Sequence, residues 1–191
     1  MRDIIDAVRE EFLRYKALAE AAIAQLSDAE LCDPRSANGN SIAVICWHVS
    51  GNLRSRFTDF LTADGEKPWR QRDEEFDPRA VTKEELLAKW QQGWDVLVST
   101  LGTLSDSNLG GTVTIRGQAM KVHEALLRAL AHVASHVGQI VLLGKAARGG
   151  EWRYLSIAPG QSAAYNQNPT GERAASHGQS LTDRIESAKR P

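Results

Sequence analysis

The sequence predicts an all-α protein built as a bundle of four long helices. Three observations predict it. Four segments repeat apolar residues in steps of three and four, capping or glycine signals bound most of them, and only one short stretch alternates with the period of a strand. With 191 residues the chain has the size of one ordinary domain with a real core.

The first segment, about residues 3 to 26, places Ile4, Val8, Phe12, Tyr15, Ala19, Ala22 and Leu26 on one stripe. The second, about residues 41 to 62, carries Ile42, Ile45, Val49, Phe57 and Phe60, with Asn40 or Ser41 to cap its start and Gly65 just past its end. The third starts at a capping box, Thr82 to Glu85, and runs to Leu101 through Leu87, Trp90, Trp94 and Leu97; Gly102 closes it. The fourth, about residues 121 to 147, carries Ala125, Ala129, His132, His136, Ile140 and Leu143, and ends at Gly149-Gly150. Two similar connectors, Leu26-Ser27-Asp28-Ala29-Glu30-Leu31 and Leu104-Ser105-Asp106-Ser107-Asn108-Leu109, hint at a duplicated helix pair, although Ser and Asp suit any helix start. Thr112 to Ile115 reads as a short extended piece. The chain beyond Gly150 reads as irregular, and the domain is expected to span residues 1–166, with 167–191 a flexible tail.

Composition narrows the class. Hydrophobic residues at 42% and charged residues at 25% are those of a soluble globular protein. A net charge of -1 supplies no bulk attraction for nucleic acid or an acidic membrane surface. Cys32 and Cys46 are too few for a disulfide framework and lack the spacing of a thiolate zinc site. No signal peptide and no membrane span is read, so a cytoplasmic location is expected.

The chemistry concentrates in histidine. His132 and His136 stand four apart, only about 40° around a helix, so one face offers both imidazoles to one ion. His48, beside Val49 and three after Ile45, lies on or next to the buried face of its own segment. Converging buried imidazoles are costly unless they ligate or are fully hydrogen-bonded. His123 is nine residues before His132, roughly 180° around the helix, and is excluded; His177 falls in the tail. Val133 stands where a zincin motif has its glutamate, and no Glu-x-x-His occurs, so neither a zincin nor a ferritin-like di-iron site is indicated. The competing reading is that His132 and His136 are satisfied core histidines.

Trp47-His48-Val49-Ser50-Gly51-Asn52-Leu53 and His132-Val133-Ala134-Ser135-His136-Val137-Gly138-Gln139-Ile140 resemble motifs of the DinB/YfiT-like superfamily, and more closely of a bacterial branch of unknown function within it. Segments such as Gly65-Glu66-Lys67-Pro68-Trp69-Arg70 and Leu155-Ser156-Ile157-Ala158-Pro159-Gly160 extend the likeness over about Ile4 to Asn166. The resemblance implies an up-down-down-up four-helix bundle and one divalent ion, zinc, nickel or iron, held by His48, His132 and His136. It also implies thiol-transfer chemistry, in which a low-molecular-weight thiol such as bacillithiol, mycothiol or glutathione is joined to an electrophile.

Three neutral imidazoles leave a divalent ion with an open position, the pattern of a catalytic site. Asn52 and Arg56 follow His48 at helical spacing, Arg128 precedes His132 by one turn, and Gln139 lies near His132 after two turns. They are the expected substrate-binding residues, the arginines holding an anion and the amides orienting ligand or water. The bland alternative is that the arginines reach solvent or pair with Asp59 or Glu124. Trp47, Trp90 and Trp94 read as core, Trp69 and Trp152 as seals, Cys46 as a packed small hydrophobe, and Gly138 as a site of close helix contact. Three functions follow: a metal-dependent thiol S-transferase, a metal-dependent hydrolase, or a non-enzymatic metal- or ligand-binding bundle, for which a homodimer packed helix on helix is one form.

Overall fold

A computed structural model describes residues 1–169. The described chain is mostly helical, with six α-helices and one two-stranded sheet: α1 (Asp3–Ala24), α2 (Asp28–Cys32), α3 (Ile42–Phe57), α4 (Lys83–Thr103), β1 (Thr112–Ile115), β2 (Gln118–Lys121), α5 (Val122–Arg148) and α6 (Ser162–Gln167). The expected flexible tail beyond residue 169, with His177, lies outside the described residues.

α3 and α4 begin where side chains satisfy orphan N–H groups. Ser41 accepts from the Val44 amide, and Thr82 and Glu85 form a reciprocal capping box. Both LSD connectors are capping boxes too: Ser27 with Glu30 opens α2, and Ser105 with Asn108 opens a single 3-10 turn. Their likeness is thus accounted for by local capping chemistry.

Packing is strongest between α3 and α4 and between α1 and α5, with α3 on α5 and α1 on α4 lighter. Phe12, Phe57, Trp90 and Trp94 are fully buried at the centre, and Phe12 meets Phe57 and Trp94 edge-on at ring-centroid distances of 6.4 and 6.3 Å. Such contacts add to area burial by about 0.5–1.5 kcal/mol each.

Several expectations are corrected. Ile5, not Ile4, is buried on α1 (0% against 55% exposed), and Leu86 takes the core place given to Leu87. The second helix stops at Phe57 rather than near Thr62: Thr58 is extended, Asp59 turns left-handed at φ 50°, and Thr100 Oγ1 caps the freed Phe57 carbonyl at 2.9 Å. On α5 the buried stripe is Val122, Leu126, Ala129, Val133, Val137, Ile140 and Gly144, so His132 and His136 flank the core instead of lying in it.

The all-α expectation fails at residues 112–121. The extended piece pairs with Gln118–Lys121, a strand that four residues of weak alternation do not announce. Arg116 and Gly117 both take positive φ, 55° and 72°, as a two-residue hairpin turn with the twist of its strands requires. Asp64 holds that turn, its carboxylate accepting from the amides of Arg116 and Gly117 at 2.8 and 2.7 Å. The stretch Val122–Glu151, which is α5 and the turn after it, reaches a mean hydropathy of 1.4 over 18 residues, long and apolar enough by composition to cross a membrane, and 22% of that window is buried.

Close helix contact falls at glycines other than the one expected. A Cβ on Gly93 would lie 2.7 Å from Ser50 Cα and 2.9 Å from its carbonyl oxygen, which is backbone and cannot swing aside, whereas a Cβ on Gly138 meets nothing. Gly93→Ala is therefore expected to cost about 1–3 kcal/mol by overpacking the α3–α4 contact. Gly138→Ala is expected to gain roughly 0.5–1 kcal/mol from helix propensity. Thermal and denaturant unfolding of the two variants checks the opposite signs.

Candidate metal centre

α3 and α5 bring three imidazoles to one point. His48 Nε2 lies 3.2 Å from His132 Nε2, which lies 3.2 Å from His136 Nε2, and one ring nitrogen of each falls within 4.8 Å of the others. An ion about 2.0–2.1 Å from each of two nitrogens at a tetrahedral angle would set them roughly 3.4 Å apart. His48 is buried, and the other two rings are half-buried.

The outer nitrogens decide which atoms face inward. His48 Nδ1 is 2.9 Å from Glu75 Oε2, and His136 Nδ1 is 2.8 Å from Gln139 Oε1. Neither carboxylate nor amide oxygen can donate, so both Nδ1 atoms carry the proton in the neutral rings, and both Nε2 atoms are bare acceptors. His132 Nδ1 is buried with no partner among the described residues. One Nε2–H on His132 could satisfy at most one of its two neighbours well. Burial, then the neighbouring His136 and His48, push the His132 pKa down to about 4, and burial lowers that of His136. The neutral imidazole is the form that ligates a divalent ion.

A buried chain braces His48. Arg70 grips Glu75 bidentately, Nε to Oε1 and Nη2 to Oε2 at 2.8 Å each, while Glu75 Oε2 holds His48. Burial works to raise the Glu75 pKa, but the hydrogen bonds and charges of Arg70 and His48 outweigh it and hold the carboxyl below its usual range. Gly51 makes room for this: a Cβ there would sit 2.1 Å from Glu75 Oε1. Phe76, at a centroid distance of 4.7 Å, closes over the His48 ring.

A cavity of about 240 Å³ opens beside His48 and His132. Asn52, Arg56 and Arg128 line it. Arg56 is nonetheless a tether: its Nη1 donates to the Gly65 carbonyl, and its fork reaches Glu66 at 3.3 Å, a carboxylate shared with Arg116. It pairs with Glu66, not with Asp59. Burial lowers its pKa against the pull of Glu66. Arg128 is exposed at the cavity wall, where Arg72 and Arg116 add positive charge. Gln139 orients His136 and does not line the cavity. Glu124 is used at the start of α5, accepting from the Lys121 amide, and Asp59 stands exposed in a turn, so neither serves the site.

His123 bonds the Leu109 carbonyl at 3.0 Å, away from the cluster, as its helical phase demands. Cys46 and Trp90 and Trp94 are fully buried as read, and burial pushes the Cys46 thiol far up; Trp152 seals against Gly144. Trp47 and Trp69 depart from the reading. Trp47 is only half-buried, and Trp69 is 47% exposed beneath Arg54. Sequence reasoning missed Arg70, Glu75 and Gly51. The first two sit in a charged loop without period, and no spacing rule links them to residue 48.

Fold and site together define a helical protein whose three-histidine group could hold a metal ion. Residues 1–161 match the family described as "Protein of unknown function (DUF1572)", and the chain belongs to that family. No curated protein and no solved structure matches it.

Removing Glu75 strips a buried guanidinium and His48 of their common acceptor. Glu75→Ala is expected to cost about 3–5 kcal/mol in unfolding free energy, the range for breaking a buried ion pair from one side. A urea midpoint within error of wild type would show that the chain is not the brace described.

Proposed function

We infer that the protein is a DinB/YfiT-like, up-down-down-up four-helix-bundle metalloprotein that holds one divalent ion, zinc, nickel or iron, through His48, His132 and His136. We further infer that it is a thiol S-transferase. The observation that carries the metal reading is the pair of Nδ1–H groups committed to Glu75 and Gln139, which leaves bare Nε2 atoms facing one another. The four long helices and their pairwise packing support the bundle topology.

When bound, a divalent ion with an open position lowers the pKa of a thiol or water that it holds. The chain's own residues supply the rest. Glu75 and Gln139 fix the tautomers of His48 and His136, which keeps both donors aimed without a search over ring orientations. The adjoining cavity receives the thiol and its electrophile, with Phe57, Phe60 and Ile115 as apolar wall and Arg128 and Asn52 as polar anchors. Thiol transfer is favoured over hydrolysis for a physical reason. A thiol held near neutral pH as thiolate needs no separate base, and the carboxylate nearest the cluster, Glu75, is already spent on Arg70 and His48.

Elemental mass spectrometry of purified protein is expected to find about one equivalent of divalent metal per chain. His132→Ala loses it, while His123→Ala keeps it with the helical circular dichroism of wild type. Full occupancy in His132→Ala contradicts the ligand set.

For function, metal-loaded and metal-free protein are compared for conjugation of bacillithiol, glutathione, cysteine and coenzyme A to a generic electrophile. Acceleration that needs the metal supports the transferase. Metal-dependent ester or amide hydrolysis without conjugation replaces it with the hydrolase. Tight metal binding with neither activity replaces it with a binding protein.

A further inference from the structure

A second cavity, of about 230 Å³, shares Arg70 with the first but has no histidine in its wall. Its wall includes two tryptophans and three more cations. Arg79 and Lys89 stand over the Trp47 ring at 4.8 and 5.8 Å, and Arg54 stands over Trp69 at 5.3 Å. All three cations are half-buried, and none pairs with a carboxylate among the described residues.

Charges that close, and that short of water, repel one another. Burial, then the charges of Arg54 and Arg79, hold the Lys89 ammonium below its usual range. Arg79 Nε is buried with no acceptor, although its Nη2 donates to the Glu74 carbonyl. The cavity's carboxylates do not cancel this. Glu75 is neutralised by Arg70, and Glu74 alone remains against Arg54, Arg79 and Lys89. Three positive charges less one leaves a surplus of two, which calls for a dianion. The indoles offer flat apolar surface beside it.

We propose that this second cavity binds a small organic phosphate monoester, its dianion held by Arg54, Arg79 and Lys89 and its organic part set against Trp47 and Trp69. Guanidinium forks match phosphate oxygens geometrically, and Lys89 adds a point charge. None of the three cations belongs to the histidine cluster, although Arg70 and Glu75 of the cavity wall also brace His48.

The test is calorimetric titration with phenyl phosphate, inorganic phosphate and benzoate, with proton–nitrogen NMR of the indole Nε1–H groups. Phenyl phosphate is expected to bind saturably, tighter than inorganic phosphate, which lacks the ring, and tighter than benzoate, which carries one charge. Lys89→Met and Arg54→Met are each expected to weaken phenyl phosphate about tenfold or more. His132→Ala and Arg128→Met, at the metal cavity, are expected to bind as wild type does. The indole resonances of Trp47 and Trp69 should shift in the wild-type protein, a readout that needs no variant to fold. Absence of saturable binding up to millimolar phenyl phosphate overturns the proposal. So does binding that is lost in Arg128→Met or His132→Ala, or that leaves both indole resonances unmoved.

Discussion

Two protons govern the site. His48 gives its Nδ1–H to Glu75 and His136 gives its own to Gln139, so in the neutral rings the opposite nitrogens face inward bare. Between them stands His132 Nε2, 3.2 Å from each. A single proton there can serve one neighbour well, not both. Bringing lone pairs together in a half-buried place is unfavourable, and the fold maintains it through rigid elements: α3 and α5 are long, well capped or packed, and carry the rings on their inner margins.

The brace behind His48 shows how much of the molecule is arranged around that constraint. Gly51 lies on α3 just where the Glu75 carboxylate comes closest, and any side chain would occupy its place. Arg70 holds both oxygens of Glu75, so the carboxylate is fixed in position and kept ionised. The loop that carries Arg70 and Glu75 is in turn anchored through Arg56 to Gly65 and Glu66, and through Asp64 to the hairpin turn. Sequence-distant segments, residues 64–76 and 112–121, thereby become the walls of one cavity beside the histidines. Positive charge then gathers on both sides of Arg70, which lines the second cavity as well.

The sequence made the helices and the three histidines legible because both follow a local rule. Periods of three and four residues locate a buried face, and the four-residue step from His132 to His136 fixes their common direction; the same arithmetic sets His123 apart. What depended on non-local contact was illegible. Ile4 and Ile5 are equally apolar neighbours, and only the packing of α1 in the bundle decides between them. The partner of β1 is a short polar strand without a pattern. Arg56 looked like a free anion anchor because Glu66 is ten residues away in a loop of undetermined path. Glu75 was hidden for the same reason: a carboxylate in a run of charges is normally solvated, and only the turn at residues 73–76 brings it to His48 Nδ1.

The central claim is that three imidazole Nε2 atoms converge on one ion. X-ray absorption at the metal edge of zinc-loaded protein tests it most directly. The account predicts about three imidazole nitrogens at roughly 2.0–2.1 Å, with a light-atom ligand completing the shell. A shell of oxygens without the outer-ring scattering of imidazole, or a sulfur at about 2.3 Å supplied by Cys32 or Cys46, would contradict it.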